Sequence, residues 1–257
     1  MGHIRLGALP RTRRWKEVIE LIGCGASSAA VAAATLDAVE EDLAKAANDP
    51  GLKRAFWLLT QIPDAARSAD FAAALRDLGI SVPDRPSAAA LTAAFTEAID
   101  RHIDVHKVRT GPGELAQLAA AETLSGFLRD RASTLFGSTP DDVRAQLGKL
   151  ATEVQFGHLA RDFFARFTER YLTFYVSKEL PQHLGAGKRF GSIEEQKAFS
   201  SALELHCRQA SKIVESFAGG WYSKARFEKD LTELRTTKFL GYALKKIRLE
   251  LERGAAE

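Results

Sequence analysis

From Thr152 to Leu180 the sequence reads TEVQFGHLARDFFARFTERYLTFYVSKEL. Phe156, Leu159, Phe163, Phe167, Tyr171 and Phe174 recur at steps of three and four, the spacing that puts side chains on one face of an α-helix. Phe164, Leu172 and Tyr175 widen that face, and Arg161, Arg166, Glu169, Arg170 and Lys178 fall largely on the other side. Aromatic side chains bury the most area per residue, so a helix of this kind predicts the centre of a core. The same stripe could instead receive a ligand or a partner protein.

The rest of the chain reads as helices separated by short breaks. It has 257 residues, enough for one large domain or two small ones, and only 8 prolines. Starts are marked by Thr12, by Ser87, by Ser138 or Thr139 before Pro140-Asp141-Asp142, and by Ser192-Ile193-Glu194-Glu195 as a capping box. Asn48-Asp49-Pro50-Gly51, Pro63, Gly79, the loop 80–87, Arg109 to Gly113, Pro181 to Gly191 and Gly219-Gly220 mark breaks. No fixed-period repeat is present, which argues against a solenoid. The expected fold is all-α, an irregular multi-helix bundle of roughly nine helices. It is expected either as two helical lobes, 1–110 and 111–257, or as one domain. The run Ala29 to Leu36 is too short to span a membrane and leads into Asp37, Glu40, Glu41 and Asp42. Arg11, Arg13 and Arg14 precede an apolar stretch as in a signal peptide, but Glu17 and Glu20 interrupt it. Two cysteines far apart, Cys24 and Cys207, fit a reducing compartment, so the expected location is cytoplasmic.

Several motifs bear on chemistry. Gly23-Cys24-Gly25-Ala26-Ser27-Ser28 is a Gly-rich turn before an Ala-rich helix, but Ser28 stands where a dinucleotide loop needs its third glycine. Pro181 to Gly191 is Gly-rich and basic but lacks the Gly-Lys-Ser/Thr end of a P-loop, so it reads as a connection. His102 and His106 are one helical turn apart and could reach one ion, yet no third ligand is evident. No metal and no cofactor are expected. Arg101-His102-Ile103-Asp104-Val105-His106 also resembles the R-x(4–6)-H motif of HEPN-domain ribonucleases. That resemblance covers six residues and implies a small helical bundle, typically acting as a dimer. It implies further that Arg101 neutralises charge at a scissile phosphate while His106 serves as acid or base.

Two basic stretches remain. Arg11, Arg13 and Arg14 crowd a helix start, where cations oppose the macrodipole. Between Lys224 and Arg253 there are nine Lys or Arg against five Asp or Glu, with Trp221, Tyr222 and Tyr242 interleaved. Lys224, Arg226, Lys238, Lys245, Lys246 and Arg248 are the expected contacts to an acidic protein or to nucleic acid. With no Ser/His/Asp set and no metal set, the expectation is a non-enzymatic adaptor or scaffold subunit of a larger cytoplasmic assembly, with protein partners. The alternative is a HEPN-like ribonuclease or RNA-binding protein using Arg101 and His106.

Overall fold

The computed structural model describes residue 9, residues 11–130 and residues 139–255. Twelve α-helices form among them, with no strand beyond one isolated bridge between Leu184 and Phe190. The all-α class is as expected. In order the helices are α1 (Arg13–Gly23), α2 (Ser28–Ala38), α3 (Glu40–Ala46), α4 (Pro50–Ala65), α5 (Phe71–Asp77) and α6 (Ala88–Val105). There follow α7 (Gly111–Asp130), α8 (Pro140–Lys149), α9 (Glu153–Val176), α10 (Ile193–Ala210), α11 (Lys212–Phe227) and α12 (Glu233–Gly254). A 3-10 turn, Leu180–His183, follows α9. None of these helices is long and apolar enough to cross a membrane.

Part of the excess over nine comes from two apparent single helices that are split. Val39 closes α2 and opens α3 with φ −112°. Ser211 closes α10 and opens α11, and its hydroxyl donates to the Cys207 carbonyl at 2.8 Å. Local signals set most starts. Thr12, Ser27, Asp49, Asp70, Ser87, Ser192 and Thr232 each accept a main-chain N–H through the side chain. Thr139 and Asp142 form a reciprocal capping box. At Ser192 the box is incomplete, because the Glu195 carboxylate accepts from Gly191 N at 2.7 Å instead of reaching the cap. Gly79 follows α5 at φ +82°, the left-handed position that glycine tolerates.

Helix α9 is the centre. Phe156, Phe163, Phe164 and Phe167 are fully buried, and α2, α7, α10 and α11 pack around it. The aromatic stripe is therefore covered by the chain's own helices. Phe56 of α4 lies 5.1 Å from Phe163, 5.2 Å from Phe164 and 5.6 Å from Phe239 of α12, between centroids. One contiguous apolar cluster runs from Trp15 to Leu251. Across the 110/111 junction, α4 and α6 both pack on α7.

Two joints fix the frame. At the first, the buried Asp49 carboxylate caps α4 at Leu52 N (2.9 Å) and accepts the Thr110 hydroxyl, which in turn accepts Gly113 N at 3.1 Å. The expected break between helices falls at 106–110, and α7 then starts at Gly111, three residues before the expected Glu114. A Cβ on Gly51 would stand 2.7 Å from Gly113 Cα, so the two helix starts touch main chain to main chain. At the second joint α11 crosses α9, with Gly219 against the Glu153 main chain and Gly157 against Glu215. Gly219-Gly220, expected as a break, lies inside α11. The break falls at 228–232 instead, where Trp57 Nε1 (3.3 Å) and Gln61 Nε2 (3.1 Å) both donate to the Leu231 carbonyl and hold the turn on α4.

Candidate functional site

The Arg101–His106 pair sits on the last turns of α6. Five residues of helix put the two side chains about 140° apart around the axis. Arg101 turns to the end of α5, donating to Gly79 O at 3.3 Å and to Glu97 at 3.0 Å. His106 caps the helix end, and its Nδ1–H donates to the His102 carbonyl at 2.8 Å. Its ring lies 4.3 Å from that of His102. Both residues are exposed, and they bond to different neighbours, Arg101 to Gly79 and His106 to His102. The two histidines do meet, but among the described residues no group of three His, Cys, Asp or Glu could hold an ion.

His102 has the more enclosed setting. Burial, then the Arg54 guanidinium of α4 and neighbouring His106, hold its imidazole below the usual range, partly opposed by Glu233 of α12. Between that lowered value and the free-chain value of 6.5, the unfolded chain binds a proton that the folded chain does not. The stability from this group is complete above the window and is lost as pH falls through it. An NMR titration is expected to give His102 a midpoint below 6.5, and His102→Gln is expected to flatten the acid side of the stability–pH curve. A midpoint at or above 6.5 would contradict the enclosed geometry.

The N-terminal arginines meet acidic groups of their own chain. Arg14 pairs with Asp37 at 3.4 Å and Glu40 at 3.5 Å, and Arg13 with Glu17 at 3.2 Å. Arg11 is exposed, with no ion pair among the described residues. The C-terminal basic residues divide in the same way. Arg226 pairs with Asp64 at 2.6 Å and donates to Ala151 O at 3.1 Å, tying α11 to α4 and to the α8–α9 turn. Arg248 pairs with Glu40 and with Glu252, and Lys224 lies 3.9 Å from Glu228. Lys238, Lys245 and Lys246 have no ion pair among the described residues. Beside them the aromatics are half-used. Tyr242 is 49% exposed, packs edge-on against Phe217 at 5.0 Å and has Lys246 over its ring. Trp221 stacks on Phe239 at 4.2 Å. Leu234 and Phe227 stand out at 67% and 89% exposed.

Two further features escape sequence reading. A polar groove of about 460 Å³ between α7, α9 and α10 is lined by Arg161, Arg166, Arg208, His158 and Asp162. Its cations are already matched: Arg161 to Glu215 at 2.9 Å, Arg166 to Asp162 at 2.8 Å and Glu122 at 3.1 Å, Arg208 to Glu204. Burial and the nearby Glu204 push the Glu169 carboxyl up. Arg161 and Arg166 were visible on the polar side of the aromatic helix, but Glu215 of α11 and Glu122 of α7, which meet them, lie far away in the chain. The two Gly-rich segments also meet. Arg189 donates to Ala26 O at 3.3 Å, and its guanidinium nitrogen lies 3.5 Å from where a Gly25 Cβ would stand. With Ser27 capping α2 and Arg189 on a carbonyl, the pair works as a clasp between α2 and the loop after α9.

Comparison with protein-family models, with curated proteins and with solved structures found no match.

Proposed function

We propose that the chain is a non-enzymatic helical adaptor or scaffold subunit of a larger cytoplasmic assembly, docking a protein partner through the α11–α12 face. The observation that carries this reading is that Lys238, Lys245 and Lys246 have no ion pair among the described residues and stand beside exposed Tyr242 and Leu234. The other basic residues proposed from sequence are mostly consumed: Arg14, Arg226 and Arg248 brace the fold. Charged groups at a rim steer and select a partner, and aromatics beside them supply contact area. The free thiols of Cys24 and Cys207 support placement in a reducing compartment.

A photo-reactive benzoylphenylalanine in place of Tyr242 tests this in cells that make the protein. The expected result is one defined protein adduct that disappears when Lys238 and Lys245 are both changed to Glu. An adduct removed by nuclease, or an adduct indifferent to the two lysines, would count against it. The ribonuclease alternative is tested apart, by RNA cleavage with the purified chain and with His106→Ala. It gains only if the chain cleaves and the variant does not.

A further inference from the structure

Gly241 lies in the middle of α12, and an added Cβ there would meet nothing within 4 Å. Glycine inside a helix is destabilising relative to alanine, because it loses more backbone freedom on folding. At Gly51, Gly157 and Gly219 the close approach of a neighbouring backbone accounts for the glycine. Among the described residues no such approach accounts for Gly241.

The open space beside it is a groove of about 430 Å³ between α3 and α12. Leu43, Ala44, Ala47 and Leu244 give it an apolar lining. On its rim, Glu40 and Arg248 neutralise one another, and Glu40 also holds Arg14. Lys245, also on the rim, has no ion pair among the described residues. At 100° per residue Leu234, Lys238, Gly241 and Lys245 fall on one face of α12, within about 60° of one another. The result is an apolar slot lined in part by a residue without a side chain, with Lys245 at its rim and Lys238 and Leu234 further along the same face of α12.

We propose that this groove seats an acidic amphipathic helix of a partner protein. The partner helix lies along α12 and crosses it at Gly241. Its apolar row faces Leu43 and Leu244, and its carboxylates meet Lys238 and Lys245. From Leu234 to Arg248 the seat is roughly 21 Å long, about four turns of the partner. Helix-in-groove docking needs a lined slot for the apolar row and a matching rim charge, and both are present here. Nucleic acid fits less well, because the slot is apolar and the nearby rings already have partners: Trp221 stacks on Phe239, and Tyr242 packs against Phe217 and Lys246.

The inference rests on the adaptor reading, and its test is separate. The probe is a fluorescein-labelled helical peptide of about 16 residues, with Leu at heptad-like spacing and Glu on the flanks. A scrambled isomer of the same composition is the control, and anisotropy with the full chain is the readout. The patterned peptide is expected to bind at least tenfold more tightly than the scrambled one, and more weakly as salt rises. Lys238→Glu with Lys245→Glu is expected to weaken it at least tenfold. Gly241→Leu is expected to do the same while the Tm stays equal or rises, since the new side chain enters open space. Equal binding of both peptides, or native affinity in Gly241→Leu, would overturn the proposal. So would displacement of the patterned peptide by single-stranded RNA at equal affinity in the lysine variants. If the peptide fails while the Tyr242 adduct still depends on the lysines, the adaptor reading stands with a different contact. If the adduct is absent as well, both fall.

Discussion

Gly219→Ala is expected to destabilise the fold by about 3 kcal/mol or more, the upper range for forcing atoms into a packed site. An added Cβ would stand 2.2 Å from the Glu153 carbonyl oxygen and 2.8 Å from its carbon, which are main-chain atoms and cannot rotate away. Relief requires α11 to lift from the start of α9. That would part Phe156 from Tyr222, two buried rings stacked at 3.8 Å. Gly220→Ala is the matched control. The nearest atom there is the Glu153 carboxylate Oε1 at 3.6 Å, an ordinary contact with the mobile end of a side chain. A helix-interior glycine replaced without a clash stabilises by about 0.5–1 kcal/mol. Urea denaturation of the two variants should thus move in opposite directions from the parent. Similar midpoints for both would mean that the α9–α11 crossing is not set by main-chain contact.

The same glycine pair shows where sequence reasoning ends. From sequence, two adjacent glycines are a break, because propensity is a local property. Their use at a helix crossing depends on what packs there, and that is decided by residues far away in the chain. The aromatic helix was legible for the opposite reason. Its period is local, and the helix observed over Glu153–Val176 lies within the expected 152–180. Caps at Thr12, Ser87 and Thr139 were legible likewise, since a side chain and the N–H it accepts are three residues apart. The break near Arg109 to Gly113 was legible but its end was not, because Gly and Pro mark ends and starts alike, and the partner that sets the start of α7, Asp49, caps another helix. The basic C-terminal surface was half legible. Composition showed the charge, but not that Asp64 takes Arg226 and Glu40 takes Arg248, while Lys238, Lys245 and Lys246 have no ion pair among the described residues. The groove beside Gly241 needs two helices and had no sequence signal beyond the glycine itself.

Phe56→Ala is expected to cost about 3–5 kcal/mol, the range for deleting a fully buried aromatic side chain. Phe56 is 1% exposed and sits among three rings from two other helices, Phe163 and Phe164 of α9 and Phe239 of α12. Its ring is nearly parallel to that of Phe239, at 5°. Each such pair adds about 0.5–1.5 kcal/mol beyond area burial, though neighbouring pairs do not sum. Phe56→Leu keeps most of the volume and is expected to lose about 1–2 kcal/mol. Phe227→Ala, at a ring 89% exposed, is expected to change stability by less than about 0.5 kcal/mol. Comparable losses for Phe56→Ala and Phe227→Ala would place the core elsewhere. The effect should also reach the docking face. Phe239 anchors the inner side of α12, two residues before Gly241, so a void beneath it loosens the wall of the groove. Under conditions where Phe56→Ala is still folded, the patterned peptide should therefore bind it more weakly than the parent, although Lys238 and Lys245 are unchanged. Native affinity in that variant would show that the groove keeps its shape independently of the ring that supports α12 from below.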